Sequence, residues 1–180
     1  MKLYTDTHRL AVWLIVLVVA GSSVNLALET RDIVQLYATI RELDFTMSTM
    51  ALQSNSTSTV ILAQLRADNR AEYGGLEATQ ISLSAYFSSG TFSLFQQNPL
   101  VWGRMISSAL SPLKSTTWNF TILLNPQNAT ALDSFYQNHN RDVTASVSFQ
   151  VLVTTSFLHT FTGAIFYQKE QDLALSYNST

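Results

Sequence analysis

The 180-residue chain contains no cysteine. Disulfides, thiolate metal sites and cysteine nucleophiles are excluded together. Charge is also scarce. Asp, Glu, Lys and Arg make up 12% of residues, against about 25% in an average soluble domain. The formal net charge is −2, so there is no basic footprint for nucleic acid or anionic lipid. The six glycines form neither a Walker-type nor a dinucleotide-binding loop, and no Gly-X-Ser-X-Gly elbow marks a serine hydrolase. Ser, Thr, Asn and Gln take the place of the missing charges, a composition common on extracellular domains.

What the chain does have is a run without charge. Leu10–Leu28 reads LAVWLIVLVVAGSSVNLAL, with Lys2 and Arg9 before it and Glu29, Arg31 and Asp32 after it. Nineteen residues at a 1.5 Å rise make roughly 28 Å of helix, about the thickness of a bilayer's hydrocarbon core. Two readings are open. In one, residues 10–28 are a retained transmembrane helix. In the other, Leu10–Ala20 is the apolar core of a signal peptide cut after Ala20. Val24, Leu26 and Leu28 resume the apolar pattern beyond that cut, and helical spacing continues through Ile33, Leu36, Tyr37, Ile40 and Leu43, which favours the anchor. The cationic N-terminal flank predicts a cytoplasmic N-terminus and an extracytosolic domain. The expected layout is a flank at 1–9, a span at 10–28, a juxtamembrane segment at 29–41, a domain at 42–176 and a tail at 177–180.

The domain reads as mainly β. Period-two alternation puts Leu43, Phe45 and Met47 on one face of a first strand, and Ile61, Ala63, Leu65 and Ala67 on one face of a second. A third strand, Leu76–Phe87, follows a polar turn ending in Gly74-Gly75, where positive φ costs little. A fourth is expected around Leu100–Ile106. The fifth, Thr116–Leu124, turns Trp118, Phe120, Ile122 and Leu124 inward. The sixth is Val143–Val153 and the seventh about Thr160–Tyr167. Between the fifth and sixth, Asn125-Pro126 reads as a turn. Thr130 with Asp133 reads as a capping box opening a helix that stops in Asn138-His139-Asn140. The expected fold is a transmembrane helix followed by a seven-stranded antiparallel β-sandwich with one helix between late strands.

Four Asn-X-Ser/Thr sequons occur, at Asn55, Asn119, Asn128 and Asn178. Each falls in a loop, in the tail or on an outward strand phase, so all four are glycosylation candidates. No catalytic, cofactor-binding or metal-binding residue stands out. His8 precedes the anchor. His139 sits in a polar turn and reads as solvated, and His159, between Leu158 and Thr160, reads as packed. Glu42 with Asp44, and Glu72 with Glu77, read as solvated edges rather than a paired-carboxylate site. Trp102 with Arg104, and Tyr73, are candidates for a contact surface, while Trp118 reads as core.

The order of elements resembles the water-stress-and-hypersensitive-response domain, the β-sandwich type of late-embryogenesis-abundant protein. The stretches that carry the resemblance are Leu43–Leu52, Val60–Asn69 running into Tyr73-Gly74-Gly75-Leu76, Ile81–Phe87, Ser111–Thr117, Thr130–Asn138 and Val143–Val153. The family's Asn-Pro-Asn motif after the second strand is matched only at Asn69, with Arg70 and Ala71 in the other two places. The resemblance implies a non-enzymatic, stress-protective or membrane-proximal domain without cofactors. Its expected partners are the lipid bilayer and other membrane or surface proteins, with no nucleic acid and no small-molecule substrate. The alternative is an accessory subunit of a membrane enzyme or surface filament.

Overall fold

The computed structural model describes residues 3–54, 58–157 and 161–179. One helix, α1 (Leu3–Glu42), runs without a break from the apolar stretch to the first residue of the domain. No proline interrupts it. Ser22, Ser23 and Thr30 turn their hydroxyls back onto the carbonyls of Val18, Val19 and Leu26, so the weak helix formers near the end of the apolar run are accommodated within the helix. Among the described residues it is the one helix long and apolar enough to cross a membrane.

Among the described residues nine strands and a second helix follow. They are β1 (Leu43–Ser54), β2 (Thr59–Asn69), β3 (Leu76–Ser89), β4 (Phe92–Leu94), β5 (Leu100–Ala109), β6 (Lys114–Leu123), α2 (Pro126–Asn138), β7 (Thr144–Phe157), β8 (Phe161–Ala174) and β9 (Ser176–Ser179). One sheet has the order β6-β2-β1-β9. The other runs β4-β3-β7-β8, with β5 also on β3. The count is therefore nine, not seven. The two additions are short: β4 pairs only with Phe87–Ser89, and β9 only with Ala51–Ser54. β9 pairs in parallel, so its sheet is mixed rather than purely antiparallel. Residues 177–179, expected as tail, belong to this strand. Neither addition is long enough to show a period-two pattern.

The inward phases are those the alternation indicates. Phe45, Leu65, Ile81, Phe87, Phe149 and Val151 are all buried, and residues from both sheets form one core cluster. α2 starts four residues before the expected capping box. Asn125 is its N-cap, accepting from the Asn128 amide at 2.8 Å, and Pro126 fills the first turn. Asn-Pro is here a helix start rather than a turn, because proline suits a first turn whose amides lack partners. Thr130 instead donates to the Pro126 carbonyl from inside the helix.

The Gly74-Gly75 pair also works differently from expectation. Among the described glycines only Gly90 has positive φ. A Cβ on Gly75 would stand 2.6 Å from the Tyr73 hydroxyl, and one on Gly74 would stand 3.1 Å from Pro112. What the turn needs is close approach, not a left-handed backbone.

Candidate functional site

The two sheets meet along two sides, and the chain treats those sides in opposite ways. On one side the free edge of β1 lies beside β8. Core-facing phases of a strand are normally apolar, yet β8 carries Tyr167, Lys169 and Gln171 at alternate positions there. Each serves the backbone of β1. The Tyr167 hydroxyl donates to Leu43 O at 2.8 Å, and Lys169 Nζ donates to Phe45 O at 3.0 Å. The Gln171 amide donates to Met47 O at 2.9 Å and accepts from Met47 N–H at 3.1 Å. A ladder of side chains thus replaces a neighbouring strand and seals the edge. The Tyr167 hydroxyl shares its one proton between Leu43 O and Ile40 O, the second being one of the carbonyls that the end of α1 leaves without a helical partner. Burial, then the neighbouring Asp44 charge, pushes the Tyr167 pKa up, which keeps the donor protonated.

The opposite side has no such seal. Among the described residues β5 pairs only with β3, and β6 only with β2, so each presents an edge that no described strand pairs. The two edges face one another across an open cleft of about 720 Å³, lined by Arg104–Ser108 and Thr117–Phe120. A second cleft of about 580 Å³ continues toward α2 past Leu100, Val101, Ile122 and Leu123. The floor is aromatic. Trp102 packs on Phe120 with ring centroids 4.8 Å apart, and Trp118 stacks on the buried Phe45 at 6.5 Å. Trp118 is therefore half-buried at the rim of the core and not enclosed in it. Val101, Met105 and Leu123 stand 77%, 72% and 71% exposed along the same strands. Rows of unpaired backbone groups over an apolar floor suit an extended peptide, whose main chain would bond to an edge and whose alternate side chains would fill the floor.

The polar outer face carries a groove of a different kind. There, Ser84, Tyr86, Ser146, Ser148, Glu170 and Asp172 line a groove of about 440 Å³. Asp172 accepts from the Ser146 hydroxyl at 2.6 Å. Both carboxylates are exposed. Among the described residues no group of His, Asp or Glu is placed to hold a metal.

The residues singled out from sequence divide as follows. Asn119 is exposed on β6, where its Oδ1 accepts from Gln64 at 2.9 Å. Asn128 is half-buried in the first turn of α2. Both border the open side. Asn178 pairs with Gln53 through its strand, and Asn55 and His159 lie outside the described residues. His139 is not a solvated loop residue. It caps α2, with its ring 4.2 Å from that of Phe135 and 5.2 Å from that of Phe92. Glu42 and Asp44 do not share a strand face, because Glu42 ends α1 and Asp44 pairs with Lys169 at 3.0 Å. Glu77 accepts from the Ser107 hydroxyl. Tyr73 is half-buried, 3.2 Å from the Thr155 hydroxyl, so it braces the turn rather than forming a free contact. Asn69, the matched motif residue, is buried. Its side chain donates to Leu110 O at 2.9 Å and Tyr73 O at 3.3 Å and accepts from the Ala71 amide at 3.1 Å. The Tyr167–Lys169–Gln171 ladder has one signal in the sequence, polar residues at alternate positions on an inward strand phase.

No family model and no curated protein matches the chain. Several solved structures are similar to it. One is a protein from Archaeoglobus fulgidus, at 9% identity and TM-score 0.40, covering 73% of this chain and 94% of that one. Another is a protein of Arabidopsis thaliana determined in solution, at 12% identity and TM-score 0.42, with 76% and 82% covered. A third, described as a late embryogenesis abundant protein, has 12% identity and TM-score 0.39, with 78% and 75% covered. Likeness at this level carries neither activity nor partner over to this chain.

Proposed function

We propose that the chain is a single-pass membrane protein whose extracytosolic β-sandwich works by contact and not by catalysis. Its open side takes extended apolar segments of other proteins at the membrane. The observation that carries this reading is the contrast between the two sides. β8 devotes three side chains to closing one edge, while the edges of β5 and β6 stay unpaired over a Trp102–Phe120 floor. Unpaired edges are a hazard that sheets ordinarily blunt. Leaving one open beside exposed Val101 and Met105 fits a surface that is used. The span at Val12–Glu42 supports the tether, and the cationic flank supports the orientation. A stress-protective module and an accessory subunit both use such a surface. Stoichiometric co-purification in mild detergent identifies the subunit.

The test uses the full chain in lipid nanodiscs and a peptide of alternating Val and Thr as probe. Trp118 lines the open side and Trp102 packs on Phe120 beside it, so binding shifts tryptophan emission to the blue. Met105→Lys together with Leu123→Lys, two exposed positions, abolishes the shift and leaves the melting temperature unchanged. A shift of equal size in that variant, or none in the parent chain, contradicts the reading.

A further inference from the structure

One end of the sandwich is built around the place where α1 enters it. There Leu43, Asn69 and Lys114 lie side by side at the ends of β1, β2 and β6, and Leu76 begins β3. Two turns close this foot and are tied together. The Leu113 amide donates to Ala71 O at 3.1 Å, the Asn69 side chain holds Leu110 O and Tyr73 O, and Pro112 lies against Gly74. The end of α1 flanks them. Gln35, Ala38, Thr39 and Glu42 share a cleft of about 350 Å³ with residues 70–73 and Leu113.

Leu113 is out of place in so rigid a foot. It stands 67% exposed with φ at 53°, a left-handed backbone that glycine takes freely and an L side chain does not. Among the described residues the other non-glycine positions with positive φ are Phe95, packed on the core, and the polar Asn140 and Arg141. Beside Leu113, the cations Arg66, Arg70 and Lys114 line a second cleft of about 310 Å³ with one carboxylate, Asp68. Arg66 holds that carboxylate at 2.8 Å. Arg70 and Lys114 are exposed and form no ion pair among the described residues.

The anchor brings one surface to this foot, the bilayer that it spans. Gln35 lies seven residues beyond Leu28, about 10 Å along the axis, and headgroups fill roughly 5–8 Å beyond the hydrocarbon. The gap that remains is within reach of extended Arg and Lys side chains. We propose that the foot rests on that bilayer: Arg70 and Lys114 bind lipid phosphates and Leu113 enters the headgroup layer beside them, giving the sandwich a second hold on the membrane next to α1. An apolar side chain flanked by cations is the chemistry of a membrane interface. The net charge of −2 and the nearby Glu42 and Glu72 work against a surface-wide attraction to anionic lipid. The ligand is therefore the phosphate that zwitterionic lipids also carry.

The proposal rests on the retained anchor. Because the chain has no cysteine, a single introduced one carries an environment-sensitive fluorophore without background. The label goes on Leu113→Cys or, as control, on Thr91→Cys, in the β3–β4 turn at the far end of the sandwich. The full chain is placed in phosphatidylcholine nanodiscs with or without lipid that bears a nitroxide on its headgroup. The expected result is that the nitroxide quenches most of the emission at Leu113→Cys and none at Thr91→Cys, and that Arg70→Ser with Lys114→Ser restores the lost emission. Equal emission changes at the two positions, quenching that survives the double substitution, or quenching abolished by inorganic phosphate in the buffer overturns the lipid contact while the anchor stands. A chain that stays out of the nanodiscs overturns both.

Discussion

At the residue scale, Asn69 acts through hydrogen bonds to the backbone. Its amide ties together three backbone segments, at Ala71, Tyr73 and Leu110, and it is buried while doing so. Asn69→Ala leaves a buried carbonyl and amide without partners and is expected to cost about 1–3 kcal/mol, measured by thermal or chemical unfolding in detergent. Gly75→Ala drives a methyl into the Tyr73 ring, breaks its bond to Thr155, and is expected to cost about 1–3 kcal/mol by the same measurement. Asp68 gives a pH prediction. The Ser115 hydroxyl has the largest effect on its carboxyl; burial, next in size, opposes it, and the hydrogen bond and charge of Arg66 add to it, so the carboxyl is held below the ordinary value of 3.8. The stability this contributes is present above the ordinary value and is lost as pH falls through the lowered one. Ser115→Ala raises the Asp68 midpoint in an NMR titration. An unchanged midpoint assigns the effect to Arg66.

At the scale of elements, the sealing ladder sets two kinds of bond against each other. Lys169 and Asp44 form an ion pair, but both side chains are nearly half exposed, and such pairs contribute about 0–1 kcal/mol. Gln171 makes two hydrogen bonds to one backbone residue, Met47, beside the register shift in β1. Gln171→Ala is therefore expected to destabilise more than Lys169→Ala, by about 1–3 kcal/mol. The reverse order in unfolding measurements contradicts the ladder. Tyr167 adds a high-pH limit. Its pKa is raised, so its contribution is full below tyrosine's ordinary value of 10.0 and is lost as pH climbs through the raised one.

Much of this architecture was legible. Strict alternation in Ile61–Ala67 and Val143–Val153 reports burial directly, because a strand between two faces has no other way to hide apolar side chains. Three features were not legible, each for its own reason. β9 is four residues long and is ordered by pairing with β1 rather than by its own pattern. The start of α2 hid in Asn-Pro, a pair that serves turns and helix starts equally. The open side could not be read because it depends on which strands end up unpaired, and pairing is a property of topology. Trp118 illustrates this: its inward phase was clear, but its place on an edge strand leaves it half-buried.

At the scale of the whole molecule, the continuity of α1 with the domain is the decisive feature. Tyr167 binds the last turn of α1, Leu36 packs on the core, and Thr39 is buried. A helix seated this way ties the two sheets to whatever its N-terminal half occupies. The proposed role, a contact surface held at the membrane, depends on that half being present. The intact mass of the protein isolated from native membranes tests this most directly. The account predicts a chain that still includes residues 1–28, with any added mass in glycan increments assignable to the sequons at Asn55, Asn119, Asn128 or Asn178. A mass beginning at Gly21 contradicts it, because the span would then have been a signal peptide and the sandwich would have no tether.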